Sequence, residues 1–381
     1  MKKSDKFIPL AKPCIGGEEI ENVVEVIKSG MWTTGRITAE FENKFSEYIG
    51  KDISSVALTS CTAGLYLSLL ALGIGANDEV IVPTWTFAAT AQVVEWAGAK
   101  LVLCDVEEDT LNIDIKKTEK LITKKTKAII PVHFAGYPCD MERLDSLAKK
   151  YNLYVIDDAA HAVGTEYKKI KIGNFSDCAV FSFYATKNLA CGEGGMVVSK
   201  NKELIEKIRK LSYFGINKSA FNRYSEKGNW YYEIEQLGYK FNYDDIHSAI
   251  GIAQLKRIDT MNARRRKIAE IYKKKLDKKI MLTRYDDIHF HNYHLFPVIL
   301  PKVIDRDSFI LKLKEMNIGT SVHFIPLHKH PYYRNKFADA ELFIADEVFG
   351  KVVSLPMYPD LSDSEVEYIA DNVNLLVNHF I

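Results

Sequence analysis

The sequence predicts an α/β protein built on a mostly parallel central sheet with helices on both faces, followed by a smaller α+β unit. Two observations carry this. From about residue 60 to residue 200, short apolar runs alternate with helical stretches, the rhythm of strand–helix–strand crossover units. Beyond residue 200 the alternation fades, and a second pattern with its own strand and helices begins near Asn292. Composition agrees with both. A chain of 381 residues, 47% apolar and 27% charged, can bury a large core without disulfides. Its 51 Lys plus Arg against 50 Asp plus Glu exclude a broad nucleic-acid surface, though not a local phosphate pocket.

The elements follow in order. Ile20, Val23, Val24 and Ile27 recur at helical spacing over Glu18–Ser29, with Gly30 as the stop. A loop, MWTTGRIT, precedes a second amphipathic helix at Ile37–Tyr48. The small residues Ser60–Gly64 then open a buried helix body, Leu65–Leu72. Strands are expected at Glu79–Pro83, Lys100–Asp105, Ala128–His133, Tyr154–Asp157, Ala179–Phe183 and Met196–Ser199. Helices are expected near Phe87–Ala97, Lys116–Leu121 and Met141–Tyr151. Next come a helix at Lys202–Leu211 and an aromatic-rich irregular stretch, Gly215–Tyr239. Asp244–Asp259 and Met261–Leu276 read as two helices or as one long element. Within Asn262–Lys279, nine basic and two acidic residues make either a solvated helix face or a basic groove. The smaller unit holds a strand at His294–Leu300, a helix at Arg306–Met316, a loop with His323 and His328, and a helix at Asp363–His379. The expected division is a large domain at 1–255 and a smaller one at 256–381.

The six cysteines are sparse and form no CxxC pair, as in reduced thiols of a cytoplasmic protein. The first residues, MKKSDKFIPLAKP, lack the apolar core of a signal peptide, and no run of 18 apolar residues suggests membrane insertion. No metal site is expected, because no HExxH or Cys-His cluster accompanies the histidines.

In parallel sheets the ligand crevice lies at the carboxyl ends of the strands, so polar residues there are the candidates for chemistry. Asp157 and Asp158 close an apolar strand. One of them caps a following helix, or one faces a cationic ligand atom. Lys187 lies between a strand end and the cluster Gly192–Gly195. It is a surface lysine, or a desolvated amine able to form a Schiff base. The glycines match neither the dinucleotide nor the phosphate-loop fingerprint. Ser60–Gly64 offers backbone donors and the Thr62 hydroxyl at a helix start, suited to a phosphate. Phe87, after a strand, is a core residue or a stacking platform.

Taken together, VIVPTWTFAAT, IDDAAHAVG, FSFYATKNLACGEGG and GYKFNYDDIHSAIG resemble the DegT/DnrJ/EryC1/StrS sugar aminotransferases, fold type I enzymes dependent on pyridoxal 5'-phosphate. The resemblance spans about residue 8 to residue 375. It implies Lys187 as the Schiff-base lysine, Asp158 at the pyridine nitrogen, Phe87 stacked on the ring and His161 near the phenolic oxygen. It implies Thr62, Ala63 and Ser182 at the phosphate, joined by Asn242 of the partner subunit. Some relatives carry that asparagine two residues earlier, where this chain has Lys240. Trp32, Thr33, Tyr184, Asn188, Tyr231, His323 and His328 are implied on the substrate side, and Asn222–Trp230 in sugar-nucleotide and subunit contact. The implied reaction carries an amino group from L-glutamate to a nucleotide-linked keto sugar in a homodimer with shared active sites. The closest motif match is to C4 amination of a UDP-linked 4-keto-6-deoxy hexose for lipopolysaccharide, O-antigen or capsule. C3 amination, GDP- or dTDP-linked sugars, a cofactor-dependent sugar dehydratase and a non-catalytic scaffold are the alternatives.

Overall fold

A computed structural model of the chain describes residues 4–216, 231–286 and 288–381. Two helices lead, α1 (Gly17–Ser29), closed by Gly30 at φ 73°, and α2 (Arg36–Ile49). The alternating region comprises β1 (Ser54–Leu58), α3 (Cys61–Ala71), β2 (Glu79–Pro83), α4 (Ala88–Trp96) and β3 (Lys100–Cys104). It continues with α5 (Ile115–Leu121), β4 (Thr126–Ile129), α6 (Met141–Tyr151) and β5 (Tyr154–Asp158). A small hairpin, β6 (Glu166–Tyr167) and β7 (Ile170–Lys171), leads to β8 (Cys178–Ser182), β9 (Gly195–Ser199) and α7 (Lys202–Ser212).

Seven strands form one sheet in the order β1-β9-β8-β5-β4-β2-β3, and every pairing is parallel except the two made by β9. The exception has a simple cause. No helix connects β8 to β9, and a strand that returns without a crossover must run antiparallel. Alternate residues of each strand feed two cores. Ile81, Val155, Phe181 and Val198 pack on one face with Phe41, Phe45 and Leu144. Val80, Val82, Ile156, Val180 and Val197 pack on the other with Leu65, Leu69 and Ile208. Burial on both faces is why these strands read as near-continuous apolar runs. β1 was not anticipated from sequence, because Ser54 and Ser55 blunt its apolar signal.

The second half is organised by α8 (Asp245–Lys275), one helix of 31 residues where either one or two were open. After it come β10 (Met281–Leu282), β11 (Phe296–Ile299), α9 (Arg306–Glu315), α10 (Pro331–Arg334), α11 (Phe343–Phe349), β12 (Val352–Leu355) and α12 (Asp363–Phe380). β10, β11 and β12 form a separate antiparallel sheet. Leu255, Ile258 and Met261 of α8 belong to the large-domain core, whereas Ile268, Ala269 and Tyr272 belong to that of the small unit. The expected division at 255/256 thus falls inside a continuous helix that changes core between Met261 and Ile268. Ile8 also packs in the small-unit core and bridges Ile318, while Cys14 packs against the large-domain core, so the N-terminal segment touches both units.

The basic block of α8 forms a joint. Arg264 pairs with Asp363 at 2.5 Å, Lys275 with Glu367 at 3.4 Å, and Arg266 lies 4.4 Å over the Phe290 ring. Arg265 is buried and donates to the Met357 carbonyl at 2.8 Å, and burial lowers its guanidinium to about 10. All six cysteines are unpaired. Among the described residues no helix is long and apolar enough to cross a membrane.

Candidate active site

One cavity of about 530 Å³ opens where the carboxyl ends of β2, β5 and β8 meet the start of α3 and the small unit. Lys187, Asp158, His161, Thr62, Phe87, Ser182, Tyr184 and His323 line it together.

Asp158 ends β5 as a buried carboxylate. Its Oδ2 accepts from Thr90 Oγ1 at 2.7 Å and its Oδ1 from the Ala160 N–H at 3.1 Å. Thr86 Oγ1 lies 2.8 Å from Thr90 Oγ1 and extends the chain. Burial raises the Asp158 carboxyl, while these two donors and Lys187 act in the opposite direction. No helix follows β5, so the Ala160 N–H bond closes a turn in place of the expected helix cap, and Asp158 lines the cavity. Its neighbour Asp157 points elsewhere, accepting from Ser176 Oγ at 2.8 Å.

Lys187 sits on the turn after β8, its N–H donating to the Tyr184 carbonyl at 2.8 Å. Among the described residues its amine has no hydrogen-bond or ion-pair partner. Burial lowers it to about 8, opposed by the charge of Asp158. The turn is held by Gly192–Gly195. Gly194 has φ 142°, and a Cβ on Gly195 would come within 2.5 Å of the Ser60 carbonyl carbon. That close approach sets the first turn of α3 against β9. There Ser60 Oγ caps the helix by accepting the Ala63 N–H at 3.0 Å. The Ala63 donor expected at the phosphate is thus taken up by the cap, and Ala63 does not line the cavity. The Thr62 N–H and hydroxyl have no partner among the described residues.

Three histidines reach the cavity. His161 Nδ1 accepts from the Ala135 N–H at 3.3 Å, which leaves its proton on Nε2. His323 Nδ1 lies 2.9 Å from Ser354 Oγ, and burial lowers the ring to about 4. Burial also drives His161 and His294 well below the ordinary histidine value, which favours the neutral ring in all three. The Phe87 ring is 65% exposed at the cavity and tilts over Phe324 at 6.2 Å.

Other expected site residues lie elsewhere. Asn188 is buried behind the wall, with Nδ2 donating to Asn262 Oδ1 at 2.8 Å and to the Asn292 carbonyl at 3.1 Å. His328 uses both ring nitrogens away from the cavity, on Thr84 Oγ1 at 2.8 Å and Asp346 Oδ1 at 3.0 Å. Thr33 and Asn242 line a second cavity of about 790 Å³. Asn242 Nδ2 donates there to Thr34 Oγ1 at 2.6 Å, and its Oδ1 accepts from Lys240 at 2.6 Å. Trp32 is 55% exposed, its Nε1 donating to the Ile27 carbonyl. Tyr231 is exposed and donates to Glu233 at 2.6 Å. Asn222–Trp230 lies outside the described residues. The sequence did not single out Thr86, Thr90, His294 or Phe324. His294 could have been flagged, since it opens a strand that the sequence does show. Thr90 reaches Asp158 only through the packing of α4 on the sheet.

The model of the DegT/DnrJ/EryC1/StrS aminotransferase family matches residues 13–374. The chain belongs to this family. An uncharacterized protein of Methanocaldococcus jannaschii, MJ1066, is 46% identical, with 98% of each chain covered. The spore coat polysaccharide biosynthesis protein SpsC of Bacillus subtilis is 44% identical, with 99% of each covered. Among solved structures, the putative sugar aminotransferase Spr1654 of Streptococcus pneumoniae in its PMP form superposes with a TM-score of 0.92 at 32% identity, covering 98% of this chain and 100% of that one. This is a family of pyridoxal-phosphate-dependent enzymes with this fold. The cavity fits that group. It offers an amine that has no partner among the described residues for an aldehyde, a buried carboxylate for a ring nitrogen, and Thr62 donors likewise free among the described residues for a phosphate.

Proposed function

We propose that this aminotransferase moves an amino group from L-glutamate to C4 of a UDP-linked 4-keto-6-deoxy hexose, a precursor of a surface polysaccharide or other glycan. The observation that carries transamination is Lys187, an amine lowered to about 8 and without a partner among the described residues, which lines the same cavity as the buried Asp158. The motif resemblance supports the C4 and UDP assignments. The 44% identity to a spore coat polysaccharide biosynthesis protein supports a glycan destination. The proposed assembly is a homodimer. In support, Thr33 and Asn242 gather away from the Lys187 cavity, as residues given to a partner would, and α1 exposes Ile20, Val24 and Ile27.

Pyridoxal phosphate, when bound, supplies an aldehyde and an electron-withdrawing ring that makes a donor Cα acidic. Lys187 would hold its aldehyde carbon, Asp158 its ring nitrogen and Phe87 its face. Thr62 and Ser182 would hold its phosphate, with Asn242 of the partner subunit. The Lys187 amine would also serve as the base of the site, taking the proton from the donor Cα and giving it back to the product. A value near 8 suits both directions, because neither form of the amine is rare at neutral pH. Asp158, anchored by Thr90 and the Ala160 N–H, is fixed as an acceptor. His161, with its proton on Nε2, is a donor to an adjacent oxygen.

The test is a panel of UDP-, GDP- and dTDP-linked 4-keto and 3-keto sugars with glutamate, followed by release of 2-oxoglutarate. The UDP-linked 4-keto-6-deoxy sugar should be the best acceptor, and Lys187→Ala should abolish turnover. A 3-keto sugar turning over fastest would refute C4 amination, and turnover intact in the alanine variant would refute the role of Lys187.

A further inference from the structure

The residue after Lys187 anchors a buried polar network that joins three parts of the fold. Asn188 Nδ2 donates to Asn262 Oδ1 on α8 at 2.8 Å and to the Asn292 carbonyl before β11 at 3.1 Å. Both partners are acceptors, so the orientation of the Asn188 amide is fixed, with Oδ1 on the other side. That oxygen lies 3.0 Å from His294 Nδ1. An amide oxygen only accepts, so the His294 proton is on Nδ1 and Nε2 carries a lone pair. Asn292 extends the network by donating to the His161 carbonyl at 2.8 Å. The His294 ring lies 4.3 Å from that of His161, at an interplanar angle of 35°. Asn188, Asn262, Asn292 and His294 are all buried. Ordering three asparagines and a histidine in a core is expensive unless each is satisfied, and a satisfied network of this kind holds one geometry.

We propose that Asn188 and His294 form a clamp from the small unit to the lysine turn, with His294 a positioning residue that fixes where the Lys187 amine stands. The clamp bonds to the side chain of the residue next to Lys187, and no contact with substrate is required of it. It rests on the assignment of Lys187 as the reacting amine.

The test uses the full-length protein loaded with pyridoxal phosphate. Discharge of its visible band by whichever amino acid best discharges the wild type is followed in single turnovers. The variants are His294→Phe, Asn188→Ala and His294→Asn, whose amide nitrogen can overlay Nδ1. A displaced amine costs about 10²-fold in rate. The phenylalanine and alanine variants should lose about that much in the limiting rate constant, with half-saturation within about threefold of wild type. His294→Asn should recover most of the loss. Wild-type rates in His294→Phe, no rescue by asparagine, or a loss confined to half-saturation would each overturn the clamp. Lys187→Ala separates the two levels. A wild-type band that persists in that variant refutes the Lys187 assignment and the clamp with it, whereas a Lys187-dependent band with any of the previous outcomes refutes the clamp alone.

Discussion

A lysine amine lowered from 10.5 to about 8 destabilises the fold that buries it, and this sets a pH signature at the residue scale. Between those two values the unfolded chain holds a proton that the folded chain does not, so stability rises with pH across the window. Below pH 8 the penalty is fully present. Lys187→Met should therefore stabilise the cofactor-free protein at pH 7 by about 1–3 kcal/mol. The gain should shrink toward zero by pH 10.5, measured by urea unfolding. Activity limited by the free amine should rise toward pH 8. Since burial holds His161, His294 and His323 neutral, none of them should add a limb between pH 5 and 8. Single residues were legible where their chemistry is unusual for their place, as with a lysine beside glycines or acids ending an apolar strand. Asn188 and His328 have ordinary side chains, and what decides their roles is a partner more than 70 positions away in each case, Asn262 for one and Thr84 for the other.

At the scale of elements, the contact between β9 and the first turn of α3 shapes the end of the cavity proposed to hold the phosphate. Gly195→Ala places a methyl against the backbone of Ser60 and Cys61, which cannot rotate away. Overpacking of this kind costs about 1–3 kcal/mol. It should also weaken pyridoxal phosphate at least about tenfold, a loss of about 1.4 kcal/mol, read by titrating the visible band. Losing the cap in Ser60→Ala should cost about 1 kcal/mol in thermal unfolding. Strands buried on both faces declared themselves in sequence, and so did capped amphipathic helices such as α6, begun by Asp140 and ended by Asn152. The antiparallel turn of β9 did not, because strand direction depends on the connection and leaves no mark on the strand itself.

At the scale of the molecule, α8 makes the two units one cooperative body, since its first half fills one core and its second half another. Ala263, exposed between Met261 and Ile268, is the place to test this. Ala263→Pro should cost about 3 kcal/mol and split a single calorimetric transition into two. The length of α8 was within reach of the sequence, but its double membership was not, because periodicity reports a buried face and not what covers it.

The cavity that gathers the reacting groups has a consequence for selectivity. Its charged lining residues are Asp158, Glu193 and Lys187, and the one cation among them is committed to chemistry. For the proposed sugar nucleotide, this wall offers a diphosphate no free cation, so the sugar would enter while the nucleotide stays outside it. Sorting among nucleotides and sorting among sugars are then separate tasks, done by different surfaces and free to evolve apart. Raising ionic strength should raise KM for the sugar nucleotide and leave kcat nearly unchanged, because the screened charges lie beyond the compartment where the proton moves.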